Sequence, residues 1–406
     1  MRLLFVTPYV PSRIRTRPYH LLRELARQGH PVTLLTAATS EPEVRDAEEL
    51  RGWGIRVDVF RVPRARSLGN CLLALPTREP LQAVYAYHPA MERRLAELAR
   101  SGEFDRVHIE HLRAARLVRA VPGIPTVYDS VDCISLLFEQ TMAQTPRWTS
   151  RLLAALDLGR TRRYEARLLA RYNRVVVSSR RDKEALEALA RRYLPPLARP
   201  APITVVTNGV DLEYFRPQNG PRDSRTVVFT GKMSYHANVA GALYFAHQVL
   251  PLIWARDPEV RFWVVGKDPP EVVQRLARDP RILVTGTVDD LRPYLAQATV
   301  AVCPIPYAVG IQNKVLEAMA MGTPVVCTRA AAEGLEARPG EDLLVADTAE
   351  AFAHHVLRVL EDPALAERLG AAGRRYVETC HDWRSIAGRL VEVYRNAGDR
   401  GADGLS

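Results

Sequence analysis

Cysteine is sparse and unpatterned: Cys71, Cys133, Cys303, Cys327 and Cys380 are scattered, odd in number and never spaced as Cys-x-x-Cys. That excludes a disulfide framework, makes a zinc site a poor reading, and fits free thiols in a reducing compartment. Long apolar runs are missing too. No window reaches the roughly 18 uncharged apolar residues of a spanning helix, and the apolar run after Arg2 ends at Pro8, too short for a signal peptide. A cytoplasmic protein is expected. There is no P-loop, no Gly-x-Gly-x-x-Gly between a strand and a helix, and no Asp-x-Asp pair. Arginine heavily outnumbers lysine, a bias that a GC-rich genome can produce unaided.

What is present is ordinary globular composition, 47% hydrophobic and 25% charged, over 406 residues, enough for two domains. The net charge of +10 is uneven. Residues 1–205 carry about 34 Lys and Arg against about 21 Asp and Glu, while the remainder is nearly balanced. The first half should face an anionic partner. The sequence pI near 9.5 raises nucleic acid as that partner, but no recognised module or aromatic platform accompanies it, so none is expected.

Residues 302–326 organise the chain. An apolar strand at Thr299 to Cys303 enters a Pro-rich bend, a loop around Gly310, and a helix from about Asn313 that stops at Gly322 before Pro324 opens another strand. The backbone N–H groups of Gly310, Ile311 and Gln312 are expected at a helix N-terminus, a ready place for phosphate. Lys314 in the first turn opposes the helix dipole and needs another reason to be there, which a phosphate would supply. Glu317 follows one turn after Asn313, where a carboxylate can take a pair of sugar hydroxyls. The plainer reading, a surface Lys314–Glu317 pair, stays open.

The run Asn313-Lys314-Val-Leu-Glu317-Ala-Met-Ala-x-Gly322-x-Pro324-Val-Val resembles the donor-binding signature of group 1 (family 4) retaining glycosyltransferases. The form Gly-Ile-Gln-Asn-Lys is closest to sugar transferases of exopolysaccharide clusters associated with PEP-CTERM sorting systems. The resemblance implies an α/β GT-B fold, two Rossmann-like doubly wound domains facing a cleft, with a C-terminal helix crossing back to the first. It also implies that Glu317 holds the nucleotide ribose as the second glutamate of a Glu-x7-Glu motif, whose first glutamate is replaced here by Val309.

Taken in order, Arg2 to Thr7 and Val32 to Ala37 read as strands around a helix near Pro18 to Gln28, the opening of a doubly wound sheet. Strands also read at 56–61, 106–109, 126–128 and 174–178. The first loop, often Gly-rich in relatives, carries Arg13, Arg15 and Arg17 instead. It is either a solvated charge run or, with Asp129, an acceptor site. In the resembled family a catalytic histidine follows the fourth strand, and by register Glu110 falls there with His111 beside it. A helix over residues 147–172 interleaves arginines with leucines, and either covers a core or lies on an anionic membrane. Leu194 to Pro202 is a Pro-rich connector. The expected domains are therefore 1–201, with a returning helix and disordered tail at 382–406, and 202–381. Asn208-Gly-Val-Asp211 resembles the turn that opens the second domain, and Gly286-Thr-Val288 its base-binding segment. In Gly231-Lys232, the resemblance places the lysine on the donor diphosphate. A second cation usual about six positions later is Asn238 here, so Lys314 is expected to replace it.

The expected activity is a metal-independent, retaining sugar transfer from a nucleoside-diphosphate sugar to a glycan or lipid-linked hydroxyl, with no cofactor beyond the substrate. An anionic membrane surface, the inner face of the cell membrane, is a further expected partner. Glu110, His111 and Lys232 are the catalytic candidates. Gly231, Lys232, Val288, Gly310, Ile311, Gln312, Lys314 and Glu317 are the donor candidates, and Arg13, Arg17 and Asp129 the acceptor candidates. A nucleotide-sugar epimerase of the same fold and a non-catalytic nucleotide-sugar-binding subunit are the alternatives.

Overall fold

The computed structural model describes residues 1–144, 148–218, 220–307 and 310–398. The chain divides into two compact units, Met1–Thr207 with the segment from Trp383 onward, and Asn208–Asp382. Each is built on one parallel sheet with helices on both faces.

The first sheet holds seven strands: β1 (Leu3–Thr7), β2 (Val32–Ala38), β3 (Arg56–Arg61), β4 (Arg106–Glu110), β5 (Thr126–Val131), β6 (Arg174–Val177) and β7 (Ile203–Val205), in spatial order 3-2-1-4-5-6-7. Strands β1 and β2 are buried at every position, as parallel strands covered on both faces must be. The helix Thr16–Arg27 starts two residues before the expected position because Pro18 is tolerated in a first turn, and Gly29 (φ 79°) ends it. The helix Trp383–Asn396 packs on it, with Trp383 stacked on His20 at 5.2 Å between ring centres.

The second sheet holds β8 (Asp223–Thr230), β9 (Arg261–Val265), β10 (Ile282–Val284), β11 (Ala298–Cys303), β12 (Val325–Cys327) and β13 (Leu344–Val345), in order 10-9-8-11-12-13. Its core gathers the inner faces of these strands with Phe245, Phe262 and Phe352. Both sheets change direction next to their first strand, β1 against β4 and β8 against β11, and ligands of such sheets sit beyond the carboxyl ends of the strands there.

Two details differ from expectation. The strand after the Pro-rich connector opens no new sheet: β7 pairs with β6 through Val175–Ile203, Val176–Thr204 and Val177–Val205, so the division falls after Thr207 rather than after Ala201. The helix expected over 147–172 runs Trp148–Leu169. Arg147 lies outside the described residues. Further along, Leu158, Thr161, Tyr164, Glu165 and Leu168 are buried while Arg163 and Arg167 are exposed, the pattern of a helix covering a core. Val309 and residues 399–406 of the expected tail also lie outside the described residues.

Candidate functional site

In the second unit the site is built where β8 ends. Gly231 (φ 150°) donates its N–H to Val265 O at 3.0 Å. Gly266 (φ 145°) faces it so closely that a Cβ on Gly266 would stand 1.9 Å from the Gly231 carbonyl oxygen. Two side chains lie over Gly231 itself. A Cβ there would meet Asn238 Nδ2 at 2.8 Å and Lys314 Cε at 3.2 Å. Asn238 is buried, its Nδ2 donates to Lys232 O at 2.9 Å, and its Oδ1 has no hydrogen-bond partner among the described residues. Lys314 therefore runs beside the slot that Asn238 fills, and its Nζ donates to Gln312 Oε1 at 3.2 Å. Lys232 is exposed beside them.

The loop before the helix Asn313–Ala320 is held by a second glycine contact. Gly310 adopts φ 64°, and a Cβ on Gly334 would lie 2.5 Å from the Gly310 carbonyl oxygen. Among the described residues, the Gly310 and Ile311 N–H groups donate to no backbone carbonyl. The Ile311 side chain is buried in the core. One turn into the helix, the half-buried Glu317 carboxylate receives no hydrogen bond from any described residue; burial pushes it up to about 7 while the charge of Lys314 pulls it down. Val288 is half-buried beyond the end of β10, after Gly286 (φ 71°). A loop whose Gly310 and Ile311 N–H groups meet no backbone carbonyl among the described residues, with lysines and a carboxylate that no described residue bonds, can accept a phosphorylated sugar: the donors meet phosphate oxygens and the carboxylate meets hydroxyls.

In the first unit the groups gather at the ends of β1, β4 and β5. Glu110, the last residue of β4, is fully buried; Tyr9 donates to its Oε1 at 2.9 Å, and its Oε2 has no partner among the described residues. Burial and the neighbouring Asp129 push Glu110 up to about 8, against the pull of Arg17, so it carries a proton at neutral pH. Asp129, also fully buried, takes Arg17 Nε at 2.8 Å, and Arg17 Nη1 donates to Val206 O at 2.8 Å and Thr207 O at 3.2 Å. His108, stacked on Phe5, shares a hydrogen bond with Tyr394 OH at 2.9 Å and lies 3.7 Å from Asp129; burial keeps it neutral. His111 adopts φ 68° and its Nδ1 accepts the Arg113 N–H at 3.2 Å. Burial and the Arg113 and Arg15 charges lower its pKa to about 3. The neutral ring therefore carries its proton on Nε2. A protonated carboxyl with one unused oxygen beside a neutral imidazole can hydrogen-bond a hydroxyl and exchange its proton.

The candidates thus form two groups. Gly231, Lys232, Gly310, Ile311, Gln312, Lys314 and Glu317 share one end of the second sheet, and Glu110, His111, Arg17 and Asp129 share one end of the first. Arg13 stands apart, exposed and 3.7 Å from Glu49. Sequence reasoning gave no role to Tyr9, Gly266 or Gly334, nor to the pair His236 Nδ1 and Tyr307 OH, 2.5 Å apart on the second unit. Only for the glycines was there a signal, as Gly266 follows an apolar strand. Among the described residues no group of three or more His, Cys, Asp or Glu side chains is placed to hold a metal, and no helix is long and apolar enough to cross a membrane.

Residues 14–209 match the glycosyl transferase 4-like domain and residues 224–362 match the glycosyl transferases group 1. The chain is 28% identical to an MMP alpha-(1->4)-mannosyltransferase of Mycolicibacterium hassiacum, over 93% of each chain. It is 24% identical to a phosphatidyl-myo-inositol mannosyltransferase of Mycolicibacterium smegmatis, over 99% of this chain and 95% of that one. Its fold matches sucrose-phosphate synthase from Thermosynechococcus elongatus with a TM-score of 0.67 at 19% identity, covering 99% and 100% of the two chains. It also matches Anabaena Alr3699/HepE solved in complex with UDP, with a TM-score of 0.66 at 15% identity, covering 97% and 100%. The two parallel-sheet domains, the two family matches and these full-length relatives together make this chain a glycosyltransferase of the group 1 family, with the GT-B fold.

Proposed function

We propose that the chain is a retaining, metal-independent transferase that moves a hexosyl group from a nucleoside-diphosphate sugar to a hydroxyl of a glycan or lipid-linked acceptor, in cell-surface polysaccharide or glycolipid synthesis. The observation that carries the reading is the Glu317 carboxylate, which receives no hydrogen bond from any described residue, one turn behind the Gly310 and Ile311 N–H groups that meet no backbone carbonyl among the described residues, with Lys314 crossing Gly231 beside it. A ribose diphosphate supplies what each group lacks, hydroxyls for Glu317 and anionic oxygens for Lys314, Lys232 and the Gly310 loop. Anabaena Alr3699/HepE was solved with UDP-glucose, which supports this class of donor.

The diphosphate gains charge as its bond to the sugar breaks, and fixed cations and helix-terminal N–H groups lower the energy of that state. Lys232 and Lys314 supply the cations, which is how the reaction dispenses with a metal. On the first unit, Glu110 and His111 receive the acceptor hydroxyl, with Arg13 contacting its anionic part. Burial and Asp129 hold Glu110 in its protonated state against the pull of Arg17. The experiment is nucleoside-diphosphate release from a panel of nucleotide sugars, with and without a chelator and with candidate acceptors. Chelator-resistant release that rises with an acceptor supports the reading. Sugar epimerisation without an acceptor, or no turnover over days, overturns it.

A further inference from the structure

The helix Arg64–Ala74 and the Leu75 that follows it are built inside out. Its inward side is small or polar: Ser67 and Ala74 are buried, and Asn70 Nδ2 donates to Val84 O at 3.1 Å and Tyr87 O at 3.0 Å. Its outward side is leucine. Leu68, Leu72, Leu73 and Leu75 are 62%, 66%, 78% and 50% exposed. Residues 68, 72 and 75 are four and three apart, so these three form one stripe along the helix. A helix that merely covered a core would place its leucines inward and its Ser and Asn outward. Adjacent leucines on one exposed face mark a surface that meets something apolar.

The charge around the stripe says what. Arg64, Arg66 and Arg78 are exposed and form no ion pair with any described residue, and no Asp or Glu occurs from 59 to 78. The next acid, Glu79, is engaged by Arg119 at 2.9 Å and Arg116 at 3.4 Å. Behind the stripe, Arg160 Nη2 donates to the Leu75 carbonyl at 2.8 Å and ties the end of the segment down. A second copy of this chain is a poor occupant, because a two-fold contact would set Arg64 and Arg66 against their own counterparts with no acid on the segment to answer them. An anionic bilayer answers both features. Leucines enter the headgroup–acyl boundary while the long arginine stems keep their guanidinium groups at the phosphates.

We propose that the segment from Arg64 to Arg78 is the surface by which the first unit docks on an anionic lipid bilayer. It is distinct from the Trp148–Leu169 helix, whose buried half covers the core, and from both clusters of candidate site residues. It goes beyond the proposed transfer and is tested apart from it, because vesicle binding reads this surface and nucleotide release reads the donor unit.

The test is flotation of the full chain with vesicles of equal parts phosphatidylglycerol and phosphatidylcholine, and with phosphatidylcholine alone, at low and high salt. The wild type is expected to float with the anionic vesicles only, and less at high salt. Each basic residue near such a surface is worth about fivefold, so R64E/R66E should reduce binding at least twentyfold. L72S/L73S should reduce it tenfold or more, while both variants keep their circular dichroism and their nucleotide release. Failure of the wild type to float, or equal flotation of the variants, overturns the proposal. So does a concentration-dependent dimer that L72S/L73S dissolves, since the stripe would then belong to a second copy.

Discussion

Replacing Glu317 by Gln should push stability and ligand binding in opposite directions. The carboxylate is half-buried, receives no hydrogen bond from a described residue, and loses its proton near pH 7 rather than near 4.5. A carboxyl whose pKa is raised by folding contributes stability that is present below its unfolded pKa and lost as pH rises through the folded one. Between pH 4.5 and 7 that loss amounts to at most about 3 kcal/mol, and to roughly 1–2 kcal/mol once water around a half-buried group is allowed for. Glu317→Gln removes it, so the variant should be more stable than wild type at pH 8 and about equal at pH 4.5. Donor binding should move the other way. Losing charged hydrogen bonds to ligand hydroxyls costs about 1.5–3 kcal/mol, or roughly ten- to a hundredfold in affinity at pH 8. Urea unfolding at the two pH values and calorimetry with the nucleotide sugar supply both numbers. A variant that gains no stability at pH 8 and binds the donor normally would leave Glu317 an ordinary helix residue.

Four other substitutions probe the rest of the site. Lys232→Ala and Lys314→Ala should each lower turnover by about tenfold or more, and the double variant should cost clearly less than the product, because both act on one diphosphate; multiplicative losses in steady-state kinetics would separate their roles. Gly231→Ala forces a side chain into φ 150° and against Asn238 and Lys314, at a cost of about 1–3 kcal/mol, and its melting temperature and donor affinity should fall together. Glu110→Gln should cut transfer by about a hundredfold or more and flatten the loss of stability that wild type shows as pH rises from about 4.5 towards 8, the window set by the raised Glu110 carboxyl. An unchanged pH–stability profile would remove Glu110 from that role.

Local order made the donor side readable. Gly310, Lys314 and Glu317 lie within one strand-loop-helix stretch, so helix periodicity and end effects suffice to bring them together. The parallel strands were readable as apolar runs because both faces are covered. The domain division was displaced because the Pro-rich connector has the composition of a linker, whereas the fate of β7 depends on pairing with β6, a partner some 28 residues earlier that composition does not name. The first unit's polar cluster was the least legible part. Tyr9, Arg17, His108, Glu110, Asp129 and Tyr394 are brought together by the order of the strands and the returning helix, and no spacing in the sequence encodes that. The arginine-rich loop shows the same limit. Arg15 and Arg17 are engaged by Glu43 and Asp129, and a count of charges does not distinguish an arginine already paired within the fold from one left for a ligand.

A grip of the second unit on a nucleoside diphosphate through Lys314, beside the slot filled by Asn238, can be read by calorimetric titration of matched nucleoside mono- and diphosphates into wild type and Lys314→Ala. Wild type should prefer the diphosphate, and the substitution should weaken the diphosphate about tenfold or more while leaving the monophosphate nearly unchanged. Equal losses for both ligands, or a diphosphate affinity that Lys314→Ala does not alter, would contradict it.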